Sequence, residues 1–339
     1  MKHLIFLFFL VVLSNGVQSN AQQLLDQIDV RFQDVDKIRV EGFFCDVSVE
    51  PGASDEVHLT GEIRSAMRNT DLEIKTSQNG NELKVWIEHE DNIRGVVRGF
   101  LMFSVPDHVA LKVNNVSGNV TVANIGSDNM NLKTVSGDIK VNGTGANTYL
   151  KSVSGNIKAS VVDGPLMVQT VSGDSHIEKI KGAFTGQSTS GNFNLKMMEG
   201  RCSIGTTSGD VTGESLLNGG EFKATSGDVL INNLRGNLMA KTVSGDVRLT
   251  DVTGSVELWT ISGHQKGQRM MLLKSGSFNS VSGDIFMELE NPMGDLSFRM
   301  KSQSGDIVAG DLKGDESLLI DRGDVLIKAS STSGNLHFQ

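Results

Sequence analysis

The side chains of this sequence with the clearest chemical potential are aspartates that each follow a glycine at nearly regular intervals. They are Asp138, Asp174, Asp210, Asp228, Asp246, Asp284 and Asp306. Carboxylates that meet in space can hold Ca²⁺, a hard cation that prefers oxygen ligands, or can act as an acid–base pair on a glycosidic bond. Asp228 and Asp246 occupy equivalent positions of consecutive repeats, so a stacked repeat would place this pair one layer apart.

The same aspartates also have a structural interpretation, which we favour. Glycine tolerates a left-handed backbone, and Asp or Asn beside it hydrogen-bonds to its own backbone, so Gly-Asp favours a tight turn. The sequence contains no calcium-binding nonapeptide repeat, no His cluster with metal-ligand spacing, no Ser-His-Asp elbow and no phosphate-binding loop. We therefore expect no catalytic residue, no metal ligand and no cofactor.

The aspartates belong to an internal repeat, marked by the glycine of a Ser-Gly-Asp-like tripeptide. KTVSGDIKV (133–141) returns as KTVSGDVRL (241–249). The marker glycines are Gly118, Gly137, Gly155, Gly173, Gly191, Gly209, Gly227, Gly245, Gly263, Gly283, Gly305, Gly323 and Gly334. The differences between successive marker numbers are 19, then seven times 18, and then 20, 22, 18 and 11. One short motif per fixed period is typical of stacked repeat proteins.

Each repeat unit has the pattern of two short strands. Apolar residues alternate with polar ones, as at Val229 and Ile231, and a second glycine such as Gly236 often divides the unit. Strands this short bury one face only when they stack on neighbours at ~4.8 Å per layer. The sequence therefore predicts an all-β fold, a β-solenoid of 18-residue repeats.

Hydroxyl side chains form a second regular series, three positions before the marker glycine. The series comprises Thr134, Ser152, Thr170, Ser188, Thr206, Thr242, Thr260, Ser280 and Ser302. If they pointed outward, they would form a flat face of the kind that ice-binding solenoids use. Leu132 and Thr134 are two positions apart and so share a face, which favours inward hydroxyls that hydrogen-bond along the stack.

The repeat does not extend over the whole chain. Residues 111–339 form the predicted solenoid, whereas residues 22–110 carry no marker glycine and are interpreted as a β-rich N-terminal cap over the exposed strand edges. Residues 1–21 combine Lys2, an apolar run and the small residues SNA, which predicts a secretory signal peptide. No later segment is apolar enough to span a bilayer. We expect an exported protein that is periplasmic, on the cell surface or secreted.

The charge of the chain limits its possible partners, and the positions of its two cysteines predict whether they form a disulfide. The chain has 31 Lys plus Arg against 40 Asp plus Glu and no basic run, which argues against a nucleic-acid partner. Cys45 and Cys202 lie far apart in different regions, so two free buried thiols are expected rather than a disulfide.

The repeat peptides carry a family resemblance. VPDHVALKVNNVSGNV (105–120), TVSGDIKV, SVSGNIKA, TVSGDVRL and SVSGDIFM resemble a bacterial "putative adhesin" family with Ser-Gly-Asp β-strand repeats. This is a domain of unknown function related to the head GIN domain, and the resemblance covers roughly residues 30–339. It implies a right-handed, β-helix-like solenoid on an exported or surface protein. It supplies no catalytic residue.

The favoured function is therefore a non-catalytic adhesin that binds an unknown surface ligand, a glycan or a protein. A glycan-active enzyme of the polysaccharide lyase or hydrolase type is the first alternative, and a calcium- or ice-binding scaffold is the second. The long spacings around Gly283 insert residues that a solenoid places in loops on one face, where binding surfaces often form. The candidate binding patch is Trp259, His264, Phe286 and Phe298.

Overall fold

The computed structural model describes residues 22–66, 72–89, 96–126, 129–145 and 147–339. The predicted signal peptide, residues 1–21, lies outside the described residues. The described chain consists of β-strands with a single short 3₁₀ helix, and these strands pair into one continuous sheet. The predicted all-β, solenoid-like fold is confirmed. None of the described helical segments is long and apolar enough to cross a membrane.

The strands fall into three groups along the chain. The N-terminal strands are β1 (Gln23–Phe32), β2 (Lys37–Phe43), β3 (Asp46–Pro51), β4 (Val57–Ser65), β5 (Glu73–Asn79), β6 (Glu82–Glu88) and β7 (Val97–Val105). The central strands are β8 (Ala110–Asn115), β9 (Val120–Ile125), β10 (Asn129–Thr134), β11 (Ile139–Thr144), β12 (Asn147–Ser152), β13 (Ile157–Val162), β14 (Leu166–Gln169), β15 (Ser175–Ile180), β16 (Phe184–Ser188), β17 (Phe193–Met198), β18 (Cys202–Thr206), β19 (Val211–Leu216), β20 (Gly220–Ala224), β21 (Val229–Arg235), β22 (Leu238–Thr242), β23 (Val247–Thr260) and β24 (Gln265–Ser280). The C-terminal strands are β25 (Ile285–Leu289), β26 (Leu296–Ser304), β27 (Ile307–Ala309), β28 (Leu312–Gly314), β29 (Ser317–Ile320), β30 (Val325–Ser333) and β31 (Leu336–Phe338), with the 3₁₀ helix at Met293–Asp295.

The central strands stack as two parallel columns. The front column contains β8 and the even-numbered strands β10 to β22, and the rear column contains β9 and the odd-numbered strands β11 to β21. Strands β23 and β24 are long enough to contribute to both columns. Ile139 pairs with Ile157, which pairs with Ser175, so adjacent strands of a column are offset by one repeat period. Identical positions of successive turns therefore lie side by side.

The core fills the space between the columns. Strands of both columns alternate buried and exposed residues, as the period of two predicted. Phe184 from the front column and Phe193 from the rear column meet edge to face, with ring centroids 6.3 Å apart, and both are fully buried. Burying each such side chain stabilises the fold by roughly 1.5–3 kcal/mol.

The marker glycines are required for space and not for a left-handed backbone. The expectation of positive φ at these positions was wrong: no marker glycine has it. A Cβ on Gly155 would instead overlap the backbone carbonyl oxygen of Gly137 in the previous turn, and the same holds up the column. A regular series of left-handed residues lies six positions after the marker glycines, in the rear strands: Asn124, Gly143, Val161, Lys179, Met197, Ser215, Asn233, Asp251 and Arg269.

At the N-terminal end, the layers are out of chain order. Strands β2 and β3 lie between β6 and β7 on one side and β8 and β9 on the other. Antiparallel strands β1, β4 and β5 cover the outermost layer. Cys45 takes the marker position of the β2–β3 turn, beneath Gly118. A side chain fits there because no other corner carbonyl of the described chain lies beyond it; Gly99 of β7 leaves room for the sulfur.

The C-terminal end repeats this arrangement. Strands β30 and β31 insert between β24 and β25 on one side and β26 and β27 on the other, so Gly334 lies between Gly283 and Gly305 in the glycine column. The prediction that Gly323 continues the column one repeat period after Gly305 was wrong, because Gly323 packs against Asp295 instead. Antiparallel strands β28 and β29 cover this end.

Candidate ligand-binding groove

The four residues of the predicted binding patch do not come together. Trp259 faces outward on the front column and Phe286 on the rear column, where its ring lies 5.1 Å from that of His337. His264 lies at the glycine corner between the columns. Phe298 is fully buried in the core and is not accessible to a ligand. The inserted residues around Gly283 thus do not assemble an aromatic surface.

The residue after each marker glycine from Gly118 to Gly283, and after Gly334, accepts a hydrogen bond from the next turn. The backbone N–H of Asp210 donates to Asn192 Oδ1 at 2.8 Å, and that of Asp228 donates to Asp210 Oδ1 at 2.9 Å. His264 continues the series, because its Nδ1 accepts the N–H of Asp284 at 3.1 Å. In spatial order, the residues that these bonds join are Asp46, Asn119, Asp138, Asn156, Asp174, Asn192, Asp210, Asp228, Asp246, His264, Asp284, Asn335 and Asp306. Asp, Asn and His share this position because each side chain offers an acceptor.

The carboxylate pair proposed for acid–base chemistry is occupied by structural contacts. Oδ1 of Asp228 and Oδ1 of Asp246 accept corner amides, and their Oδ2 atoms bind the guanidinium of Arg248 at 3.1 and 2.6 Å. Among the described residues, no three His, Cys, Asp or Glu side chains lie close enough to hold a metal ion. The geometry gives no support to a calcium site or a carboxylate dyad.

The side chains of the hydroxyl series point into the core. This agrees with the prediction that Leu132 and Thr134, two positions apart, share a strand face. Thr134, Ser152 and Thr242 are buried, and each accepts the N–H of its own marker glycine at 2.9 to 3.1 Å. This inward orientation removes the flat hydroxyl face on which the ice-binding alternative depends.

A groove crosses the front column at its N-terminal half. It has a volume of about 660 Å³ and is an open trough rather than an enclosed cavity. Small side chains at the strand starts make its floor, and longer side chains two positions further along each strand make its wall. The floor residues are Ala110, Asn129, Asn147, Pro165 and Ala183, and the wall residues are Arg39, Lys112, Asn131, Tyr149, Met167 and Thr185.

Tyr149 and Asn131 occupy the centre of the wall. They are adjacent in register, and Lys112 follows Asn131 on the other side. Tyr149 donates its hydroxyl to Gln169 Oε1 at 2.7 Å, and its partial burial raises the pKa of the phenol. The ammonium of Lys133 lies 5.5 Å from the centroid of the Tyr149 ring. The ring thus presents an apolar surface bordered by amide and cationic groups.

Two polar atoms in this wall lack hydrogen-bond partners. Asn131 Oδ1 and Arg39 Nε are buried, and neither has a partner among the described residues. Buried polar atoms are nearly always hydrogen-bonded, so these two are exceptions within the described chain. Because neither atom is accessible to solvent, a ligand in the groove does not contact them directly.

A second trough lies nearer the glycine corner on the same column. It has a volume of about 520 Å³, and it is lined by Gln169, which accepts the Tyr149 hydroxyl of the first trough. Gly205 opens the trough because a Cβ there would meet no heavy atom of the described chain within 4 Å. Lys151 and Lys223 line the two ends, with Gln187 and a row of threonines, Thr189, Thr207 and Thr225, between them. We call the two troughs together the front groove.

The sequence offered only a weak signal for the front groove. Tyr149 is the single tyrosine of the chain, and Lys133 and Lys151 recur one turn apart. A trough forms where the outward side chains of neighbouring turns are short. These side chains can be identified only after the turns are stacked in register.

Comparisons with known proteins relate the chain to one family. The sequence model of a family described as Toastrack DUF4097 matches residues 35–216 and again residues 204–338. No curated protein matches the chain.

Solved structures resemble the fold only distantly. A "putative cell adhesion protein" from Clostridium sporogenes has 8% identity over 94% of this chain and 98% of its own, with a TM-score of 0.19. A "putative adhesin" from Parabacteroides merdae has 13% identity over 78% and 95%, with a TM-score of 0.31. A "putative lipid binding protein" from Parabacteroides distasonis has 12% identity over 92% and 96%, with a TM-score of 0.25. At these values the likeness carries no argument about function.

Proposed function

The chain belongs to the Toastrack DUF4097 family, and we propose that it is an exported, non-catalytic binding protein of the adhesin type that holds its ligand in the front groove. The observation that carries this proposal is the groove itself. It combines an aromatic ring with amide and cationic side chains in one trough, which is the composition of a ligand site. A non-catalytic role for Asp228 and Asp246 is supported by their contacts, since their oxygens are held by backbone amides and by Arg248.

The test is a binding screen with the mature chain, residues 22–339. Glycans and matrix proteins are presented to the wild type and to Tyr149→Ala, which removes the aromatic surface. A ligand bound by the wild type and lost by the variant supports the proposal. Binding that is indifferent to Tyr149 contradicts a ligand site in the front groove. Incubation with acidic polysaccharides checks catalysis, since any accumulation of shortened or unsaturated products would favour the enzymatic alternative.

The proposal includes the finer features of the family resemblance. They are the relation to adhesins with Ser-Gly-Asp strand repeats and to the head GIN domain, right-handed coiling in 18-residue turns, and the division at residues 22–110 and 111–339. An experimental structure tests the coiling. Export is tested by expressing the full chain and sequencing the N-terminus of the released protein, which should begin at Gln22.

A further inference from the structure

We propose that the ligand of the front groove is an anionic glycan, a polysaccharide that carries carboxylate or sulfate groups. This inference rests on the proposed function and adds the chemical class of the ligand. It is carried by the charge of the groove, by its shape and by the polar atoms in its wall.

The charge of the groove is opposite to that of the protein. The whole chain carries a net charge of −9, yet the groove is lined by Lys37, Arg39, Lys112, Lys151 and Lys223. Glu82 is the one carboxylate among the described lining residues. A cationic trough in an acidic protein concentrates polyanions at that surface and excludes them elsewhere.

Most of these cations are free to bind a ligand. In the described chain, Lys37, Lys112 and Lys151 form no ion pair, and neither does Lys133 beside the Tyr149 ring. Arg39 shares Glu41 with Lys84, at 3.1 and 3.4 Å, and Lys223 is paired with Glu221. The unpaired ammonium groups thus lie along the groove, from Lys37 on β2 to Lys151 on β12, and that of Lys133 is beside the Tyr149 ring.

The shape of the groove suits a linear polymer. The first trough crosses the seven strands β6, β2, β8, β10, β12, β14 and β16, and their six spacings of ~4.8 Å give a length of about 29 Å. Polar side chains line it on every strand except β14, where Met167 stands instead, and the rise of one sugar along an extended polysaccharide is similar to the strand spacing. Successive sugars can therefore meet equivalent side chains in successive turns.

The wall offers both kinds of contact that a sugar needs. The face of the Tyr149 ring can pack against the C–H face of a pyranose, while the neighbouring Asn131 amide can hydrogen-bond to a sugar hydroxyl. The guanidinium of Arg39 in the same wall can pair with a carboxylate or sulfate. The groove is open along its length, so it does not remove an acyl chain from water as a lipid site must.

The experiment measures the affinity of the mature chain for three anionic glycans, namely polygalacturonate, alginate and heparin. Fully methyl-esterified polygalacturonate is the neutral counterpart. The test variant is Lys133→Gln/Lys151→Gln. The matched control is Lys140→Gln/Lys158→Gln, which removes two lysines from the same two turns on the rear column, where they face away from the groove.

We expect at least one anionic glycan to bind and the neutral counterpart to bind far more weakly. The Lys133/Lys151 variant should weaken Kd about tenfold, from the loss of two partly exposed ionic contacts. The control should change Kd less than about twofold, and raising NaCl from about 50 to about 300 mM should weaken wild-type binding. Tyr149→Phe keeps the ring and should bind nearly as the wild type does.

The opposing outcomes separate this inference from the proposed function. If the neutral glycan binds equally well and Tyr149→Ala abolishes that binding, the anionic class is wrong while the groove remains the ligand site. If both lysine variants lose affinity equally, the polyanion binds by nonspecific charge and the inference is overturned. The inference is also overturned if the protein binds anionic phospholipid vesicles and none of the three glycans. If no glycan binds and the proteins that do bind ignore Tyr149, both proposals fail.

Discussion

Replacing Gly209 with alanine tests the steric origin of the glycine column. A Cβ at Gly209 would lie 2.1 Å from the carbonyl oxygen of Gly191, inside the 3.0 Å that such atoms keep from their neighbours. To relieve this overlap, the corner must move away from the turn below. The two residues that flank Gly209 each donate one bond across that boundary, Asp210 N–H to Asn192 Oδ1 and Ser208 N–H to the Thr189 carbonyl, both at 2.8 Å. A displacement of about 1 Å breaks both.

The expected cost follows from these bonds. At about 1 kcal/mol each, with a further loss from the bond between Gly209 N–H and Thr206 Oγ1, Gly209→Ala should lower the free energy of unfolding by about 2–3 kcal/mol. The matched control is Gly205→Ala, four positions earlier in the same turn, where a Cβ meets no described heavy atom within 4 Å. This change should be neutral or stabilise by up to about 1 kcal/mol, because alanine has less conformational entropy to lose on folding.

Urea unfolding followed by far-ultraviolet circular dichroism measures both variants. Because a stacked repeat can unfold in parts, amide hydrogen exchange in β16 to β20 provides a local reading of the same effect. The steric argument is refuted if Gly209→Ala unfolds at the wild-type urea concentration, or if both alanine variants are destabilised equally.

Three further predictions concern the corner, the C-terminal insertion and the thiols. His264→Leu should lower the free energy of unfolding by about 1 kcal/mol, while His264→Asn, which keeps an acceptor for Asp284 N–H, should change it little, as measured by urea unfolding. Deletion of residues 325–339 should abolish cooperative unfolding in calorimetry, because it removes a layer with neighbours on both sides; a deletion mutant that melts as sharply as the wild type would contradict the layer order. Burial raises the pKa of the Cys45 and Cys202 thiols to about 12. Above about pH 8.5 the unfolded chain therefore releases two protons that the folded chain retains. The free energy of unfolding should fall from there toward pH 12, by at most about 1.4 kcal/mol per pH unit for each thiol. Urea unfolding between about pH 8 and pH 10 should show this slope in the wild type and not in Cys45→Ala/Cys202→Ala.

The central turns were predictable because one chemical requirement recurs in each. Glycine at the corner and alternating apolar residues after it repeat at a constant spacing, and the structure aligns them in register from Gly137 to Gly263. The two thiols were also predicted correctly as free and buried. The reason for glycine was not predictable, since close approach of two corners is a property of the stacked turns and not of any local sequence.

The ends and the groove could not be predicted for a related reason. Cys45 replaces a marker glycine because no described corner lies beyond its own, and a search for glycine misses it. The position of Gly334 between Gly283 and Gly305 depends on which strand edges are left open after the earlier turns have formed. The front groove requires several small outward side chains to align across β8 to β16, and each of them is unremarkable alone.

The layer order at the two ends limits how such a rod can change its length. Strands β2 and β3 at one end, and β30 and β31 at the other, are each held between strands that lie elsewhere in the chain. One further parallel layer lies outside each of them, β6 and β7 or β26 and β27, and an antiparallel cover follows it. A copied repeat unit added outside these outer layers would meet that cover and find no matching edge. Duplication or loss of units during evolution is therefore confined to the interior, where each new turn finds the same neighbours as the one it copies. Relatives of different length should share both ends and differ in the number of turns between them.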